Sequence, residues 1–177
     1  MGSIIFVSGV HGVGKTTMCS LASSELGILH KSASQLIREA KETKSIDTTK
    51  LVDDINANQA ILTNSLSSIK ASGMKLLLDG HFVLFDKTKN VQKIETKIFS
   101  DLEIDSILLI FDSAQSIVQR LNERDMNKIF SLDEIESLQM QEVKRAEEVS
   151  SELKLNLVKI HSFDQHEFNR AISDLIA

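Results

Sequence analysis

Apolar positions along the 177-residue chain fall into two kinds of run. Short, nearly continuous runs at Ser3–Ser8, Ile28–His30, Lys75–Asp79, Ser106–Asp112 and Lys154–Ile160 predict strands buried on both faces. The segments between them repeat their apolar residues every three to four positions, which predicts helices. Lys15–Leu26 puts Met18, Leu21, Ala22 and Leu26 on one face, and Gly27 stops it. Ser32 and Gln35 form a capping-box pattern for a helix over about 33–41, which Lys44–Asp47 breaks. A longer helix is expected from about Thr48 to Ala71 on Leu51, Ile55, Leu62, Leu66 and Ile69, with Gly73 ending it. Residues 86–96 read as polar and irregular, and Ile98–Leu102 as one helical turn. Ser113 caps a helix that turns Ile117, Val118 and Leu121 inward. After a short break at Asp125–Lys128, Ser131 with Glu134 opens a helix to about Leu153, with Ile135, Leu138, Val143, Ala146 and Val149 on its apolar face. A last helix covers Asp164–Ile176.

Strands that alternate with helices imply a parallel sheet covered on both sides, so the expected fold is α/β, a three-layer α/β/α sandwich on a five-stranded parallel sheet. The length suits one domain over 1–177, and no repeat, low-complexity tract or linker divides it.

The first strand runs into Gly9-Val10-His11-Gly12-Val13-Gly14-Lys15-Thr16, which fits G-x-x-x-x-G-K-[ST], and a helix follows it. Strand, glycine-rich loop and helix N-terminus together make an anion site, because backbone N–H groups point inward and the helix dipole adds positive potential. Gly9, Gly12, Val13, Gly14 and Thr17 are read as parts of a phosphate cradle, Lys15 as the cation on the β- and γ-phosphates, and Thr16 as a ligand of Mg²⁺. His11 occupies a variable position and is given no role.

Charge and composition narrow the class. A net charge of −5 lacks the basic footprint of a nucleic-acid binder. No apolar run approaches the ~20 residues of a membrane span, and the N-terminus has no basic leader. The single Cys19 forms no internal disulfide and reads as a small core residue in a reducing, cytoplasmic setting. Without Trp or Tyr, base stacking falls to Phe, His or Arg.

Asp79 ends an apolar strand and precedes Gly80, which suits a carboxylate that orders Mg²⁺ and its waters. Asp112 also ends an apolar strand and competes for the role; Asp79 is preferred because glycine follows it. His81 either bonds a phosphate or packs under the loop. Five of the twenty basic residues are Arg, at 38, 120, 124, 145 and 170. A guanidinium grips phosphate bidentately, so the first four are candidates for a phosphoryl-transfer site, and Arg170 reads as solvated surface.

The segments Gly9–Thr17, Asp79-Gly80-His81 and Arg120-Leu-Asn-Glu-Arg124 resemble the P-loop nucleoside monophosphate kinases, with archaeal-type adenylate kinases closest. Glu142-Val-Lys-Arg145-Ala146 is similar to that family's Asn-Arg-Ala stretch. The resemblance covers nearly the whole chain, and the P-loop is its one motif specific in itself. It implies a P-loop NTPase fold, ATP and Mg²⁺, an acceptor-binding helical segment over about 31–72 and a short lid over about 120–131. It also implies that Arg38 grips an acceptor monophosphate, Arg120 covers adenine, Arg124 neutralises the transferring phosphoryl group and Arg145 bridges donor and acceptor. The implied activity moves the ATP γ-phosphate to a nucleoside monophosphate, AMP or dAMP first. Its partners are small nucleotides, neither nucleic acid nor membrane, and a homo-oligomer stays open. Two departures matter: the lid is short, with its basic run reduced to Lys128, and no arginine follows Asp79-Gly80 closely. They keep two alternatives alive, a small-metabolite kinase and a nucleotide-dependent switch or assembly ATPase with slow hydrolysis.

Overall fold

The structure is a computed structural model that describes residues 2–43, 55–85, 90–124 and 130–177. Its centre is a five-stranded sheet of β1 (Ser3–Ser8), β2 (Leu29–Ser32), β3 (Lys75–Asp79), β6 (Ser106–Phe111) and β7 (Asn156–His161), in the order β2-β3-β1-β6-β7. Every pairing in it is parallel. A separate antiparallel hairpin joins β4 (Val83–Phe85) to β5 (Val91–Lys93). The helices are α1 (Lys15–Leu26), α2 (Ala33–Thr43), α3 (Ile55–Ala71), α4 (Thr96–Asp101), α5 (Ala114–Arg124), α6 (Leu132–Leu153) and α7 (Gln165–Leu175). The expected α/β fold with five parallel strands is therefore present.

Alternation along the strands divides the interior in two. Ile5, Val7, Leu77, Leu108 and Ile110 face one layer, where Met18, Ile117, Phe168 and Ile172 from α1, α5 and α7 meet them. Ile4, Phe6, Leu76, Leu78, Ile107 and Leu109 face the other, against Leu62, Leu66, Phe99, Ala146 and Val149 from α3, α4 and α6. This burial from both sides explains why the central strands read as unbroken apolar runs.

Local differences from the sequence expectation have identifiable causes. Leu21 is 47% exposed, because the buried stripe of α1 is Lys15, Met18, Cys19 and Ala22, and Leu21 lies a third of a turn away. Cys19 is fully buried, as expected of a core residue. Strand β2 runs on to Ser32, held by parallel pairing of Ser32 with Asp79. Lys154 does not open the last strand; it caps α6 in the left-handed region (φ 55°). Within the stretch read as irregular, Val91–Lys93 pairs with Val83–Phe85, and α4 starts at Thr96, before Ile98. The Ser131–Glu134 capping box forms in both directions. The break at Asp125–Lys128, the break at Lys44–Asp47 and the start of the long helix through Leu51 lie outside the described residues. No helix among the described residues is long and apolar enough to cross a membrane.

Candidate active site at the P-loop

β1 delivers its C-terminal end to the loop, and α1 carries the chain away from it. The N-cap of α1 is Gly14, in the left-handed region at φ 106°, and no side chain caps the helix. The first N–H groups of α1 are therefore left for an external acceptor. A Cβ on Gly14 would lie 3.1 Å from the Phe163 ring and 3.2 Å from Ser162 Oγ, so a side chain there is both strained and crowded.

These features open into a cleft of about 630 Å³. Gly12, Gly14, Lys15, Thr16, Thr17, Arg120 and Arg124 are among the residues that line it. Lys15 is 7% exposed, and Nζ donates to Gly9 O at 2.7 Å and Val10 O at 3.1 Å. Burial draws its pKa below the usual lysine value, and the charges of Asp79 and Glu142 act against that. Thr16 Oγ1 donates to Asp79 Oδ2 at 2.9 Å. Burial opposes ionisation of Asp79, yet His30, Lys15 and the Thr16 hydroxyl outweigh it and hold the carboxyl below its ordinary range. The His30 ring nitrogen Nε2 stands 3.7 Å from Asp79 Oδ2. Thr16 Oγ1 and the Asp79 carboxylate are hard oxygen donors beside an anion cradle, a donor set whose chemistry suits Mg²⁺.

Of the two competing aspartates, only Asp79 lines the cleft. Asp112 is turned to Arg120, accepting from Nη2 at 2.8 Å, and accepts from Ser113 N. Gly80 lines the cleft and is pressed against protein on its other side: a Cβ there would meet the Phe6 ring at 2.7 Å. Its N–H is bonded to Val7 O at 3.0 Å. His81 lines the cleft with its ring 4.2 Å from that of His11, which sequence reasoning had left without a role. Burial, with Lys15 and His11, pushes His81 down to about 3, so it is neutral at physiological pH.

Arg120 is positioned as an aromatic-stacking residue. Its Nε donates to Gly12 O at 2.9 Å, and its guanidinium lies 5.1 Å from the centroid of the Phe163 ring. Phe163 is 51% exposed and holds φ at 63°. Arg124, four residues on, lines the same cleft. Four predicted site residues lie elsewhere. Gly9 and Val13 support the loop from behind: Gly9 N–H is bonded to Glu142, and Val13 is buried with its N–H on Val10 O. Arg145 is directed away from the cleft. Its Nε and Nη2 donate to Ile94 O, Nη2 also to Thr96 Oγ1, and Nη1 to Glu148. With its donors engaged on the hairpin and α4, Arg145 is not where a bridge between two phosphates would stand. Arg38 is exposed on α2 and outside the cleft lining.

The apolar part of the cleft lining is Phe6, Leu62, Leu84, Ile94, Ile98, Phe99 and Leu102, with Ser32, Ser34 and His81 in the same lining. Phe6, Phe82 and Phe99 pack edge-on and tilted around it, with centroids 4.6–5.2 Å apart. Sequence reasoning missed Glu142, which is 1% exposed on the inner face of α6. Its available signal was a carboxylate four residues from Leu138 and four from Ala146, in line with the apolar face of the helix.

Residues 8–139 match the family model described as an AAA domain. In sequence the chain is 29% identical over 147 residues to uridylate kinase of Saccharomyces cerevisiae, covering 77% of this chain and 69% of that one. In fold it is similar to a gluconokinase from Sinorhizobium meliloti 1021, at TM-score 0.54 and 16% identity, over 99% of this chain and 91% of that one. A shikimate kinase from Acinetobacter baumannii is similar too, at TM-score 0.56 and 14% identity, over 98% and 92%. At those identities the likeness to solved structures speaks for the fold alone. The chain belongs to the AAA domain family.

Proposed function

We propose that the chain transfers the γ-phosphoryl group of ATP to a nucleoside monophosphate, with AMP or dAMP as first candidates. The observation that carries this reading is the set of apolar side chains that line the same cleft as Lys15 and Thr16. A flat base gains contact with Phe6, Phe99 and Leu62. A polyhydroxylated acid leaves hydroxyls facing hydrocarbon, at about 1–3 kcal/mol for each unmade hydrogen bond. The sequence relative in yeast, named a uridylate kinase, agrees in acceptor class though not in base.

In this mechanism Lys15 binds the β- and γ-phosphates, the α1 N–H groups cradle them, and Arg120 with Phe163 offers the donor base a stacking surface. Arg124 supplies charge to the transferring group, and neutral His81 donates or accepts a hydrogen bond to phosphate. Thr16 and, through water, Asp79 would hold Mg²⁺, which when bound would supply positive charge against the nucleotide phosphates. No covalent protein intermediate is needed; positioning and charge neutralisation suffice. Residues about 31–72 form the acceptor segment with Arg38, and residues about 120–131 the lid.

The exposed position of Arg38 supports a second reading. With Arg38 outside it, the described lining offers no Arg or Lys for an acceptor phosphate beyond Lys15, Arg120 and Arg124, as suits a small metabolite that carries a bare hydroxyl. The test is ADP release from ATP with AMP, dAMP, UMP, gluconate or shikimate, against a control without acceptor. Acceleration by a monophosphate supports the proposal. Acceleration by gluconate or shikimate alone replaces it with the second reading, and hydrolysis indifferent to every acceptor replaces it with a nucleotide-dependent switch or assembly ATPase.

A further inference from the structure

We infer that Glu142 is a positioning residue: a buried carboxylate on α6 that sets the P-loop against the segment carrying Asp79 and His81. Both Glu142 oxygens are used. Oε1 accepts from Gly9 N at 3.1 Å and Phe82 N at 3.0 Å, and Oε2 accepts from Phe82 N at 3.0 Å and Val83 N at 2.9 Å. Gly9 opens the loop after β1, and Phe82 and Val83 follow Asp79-Gly80-His81 after β3. One side chain, 133 residues from Gly9 and 60 from Phe82, thus joins the two segments whose separation fixes the distance from Lys15 to Asp79.

The circuit is closed by neighbours. Gly9 O accepts from Lys15 Nζ, so the residue that Glu142 holds by its N–H is also the one against which the lysine rests. Phe82 O accepts from Ile94 N at 3.0 Å, and Ile94 O takes two donors of Arg145, three residues from Glu142 on the same helix. Helix α6 therefore grips the cleft wall at two levels, by carboxylate at 82–83 and by guanidinium at 94–96. A buried carboxylate is an expensive core residue, and a side chain present only to fill volume would be apolar. Its three N–H partners explain its retention as an acceptor, because a leucine there would orphan all three.

The inference depends on ATP binding at the P-loop, and only its turnover readout depends on the acceptor. The test compares the parent with Glu142→Gln well below the melting temperature of each. Mg–ATP affinity is measured by calorimetry, and ADP release is measured with AMP, UMP or water as acceptor. The cradle of Gly12, Gly14 and α1 lies beyond the joint, so ATP affinity should stay within about threefold while kcat falls at least about tenfold. A lower melting temperature with unchanged kcat per folded molecule would reduce Glu142 to a structural residue and overturn the inference. Equal losses in affinity and kcat would overturn it too. If the parent turns over none of the three acceptors, the monophosphate reading fails, and the joint is judged by native-state hydrogen exchange. The same measurement serves if Glu142→Gln does not fold. Amides of Gly9, Phe82 and Val83 should then open together with one common protection; separate opening of Gly9 from 82–83 overturns the joint.

Discussion

Lys15 sits among opposed forces: burial favours its neutral form, while two carboxylates and two loop carbonyls hold the ammonium in place. Phosphate oxygens would add to the second group, which is why a buried cation is kept at the mouth of a helix. Lys15→Ala should leave the fold intact and weaken ATP binding by ten- to a hundred-fold, from about 1.5–3 kcal/mol for a charge-assisted contact. Calorimetry with Mg–ATP reads this, and equal affinities would remove Lys15 from the phosphate site. The two aspartates at strand ends separate by their partners. Asp79→Asn disturbs the partner of Thr16 at the proposed Mg²⁺ site, whereas Asp112→Asn loosens Arg120. Titrating activity with Mg²⁺ should show the larger rise in metal requirement for Asp79→Asn; the reverse ranking would transfer the metal role to Asp112.

Helices and strands were legible where one local rule governs them. The Ser131–Glu134 box predicts the start of α6, and the structure forms both of its hydrogen bonds. Ser131→Ala should accordingly lower stability by about 1 kcal/mol, seen as a reduced urea midpoint at unchanged slope; an unchanged midpoint would mean that burial of α6 alone sets its start. The hairpin β4–β5 was not legible, since Val91-Gln-Lys is short and polar and its position comes from Ile94, Phe82 and Arg145 rather than its own pattern. The P-loop gave its ligands through a motif, so Gly12, Gly14, Lys15 and Thr16 were found together, but a motif does not say which N–H groups face inward. Gly9 and Val13 therefore changed role once the loop was seen from behind. Arg145 misled for a related reason. A guanidinium bordering an apolar face has the same appearance in sequence whether it points at a phosphate or, as here, at a backbone carbonyl.

Across the molecule, the sheet presents the C-terminal ends of β1 and β3 to a cleft walled by both interior layers. Ligand sites outside strand C-termini are the rule for open parallel sheets. Arg38 is the side chain whose contribution depends on how α2 meets that cleft when an acceptor is present. Under the monophosphate reading, Arg38→Ala raises the acceptor KM about ten- to a hundred-fold with ATP affinity unchanged. ADP release measured across acceptor concentrations decides it. An unchanged KM for an accepted monophosphate would exclude Arg38 from the acceptor site and assign that charge to another residue.

The exposed ring of Phe163, poised under Arg120 at the rim of the loop, makes the protein easy to instrument. The chain contains no Trp and no Tyr, so it is optically dark above the phenylalanine band. Phe163→Trp would add a single fluorophore at the edge of the donor site, on a side chain half in solvent. An adenine stacking there should quench it, and the emission change would follow ATP arrival in real time against no background from the rest of the chain. A signal indifferent to ATP but responsive to salt would mean that the indole reports Arg120 and not the base.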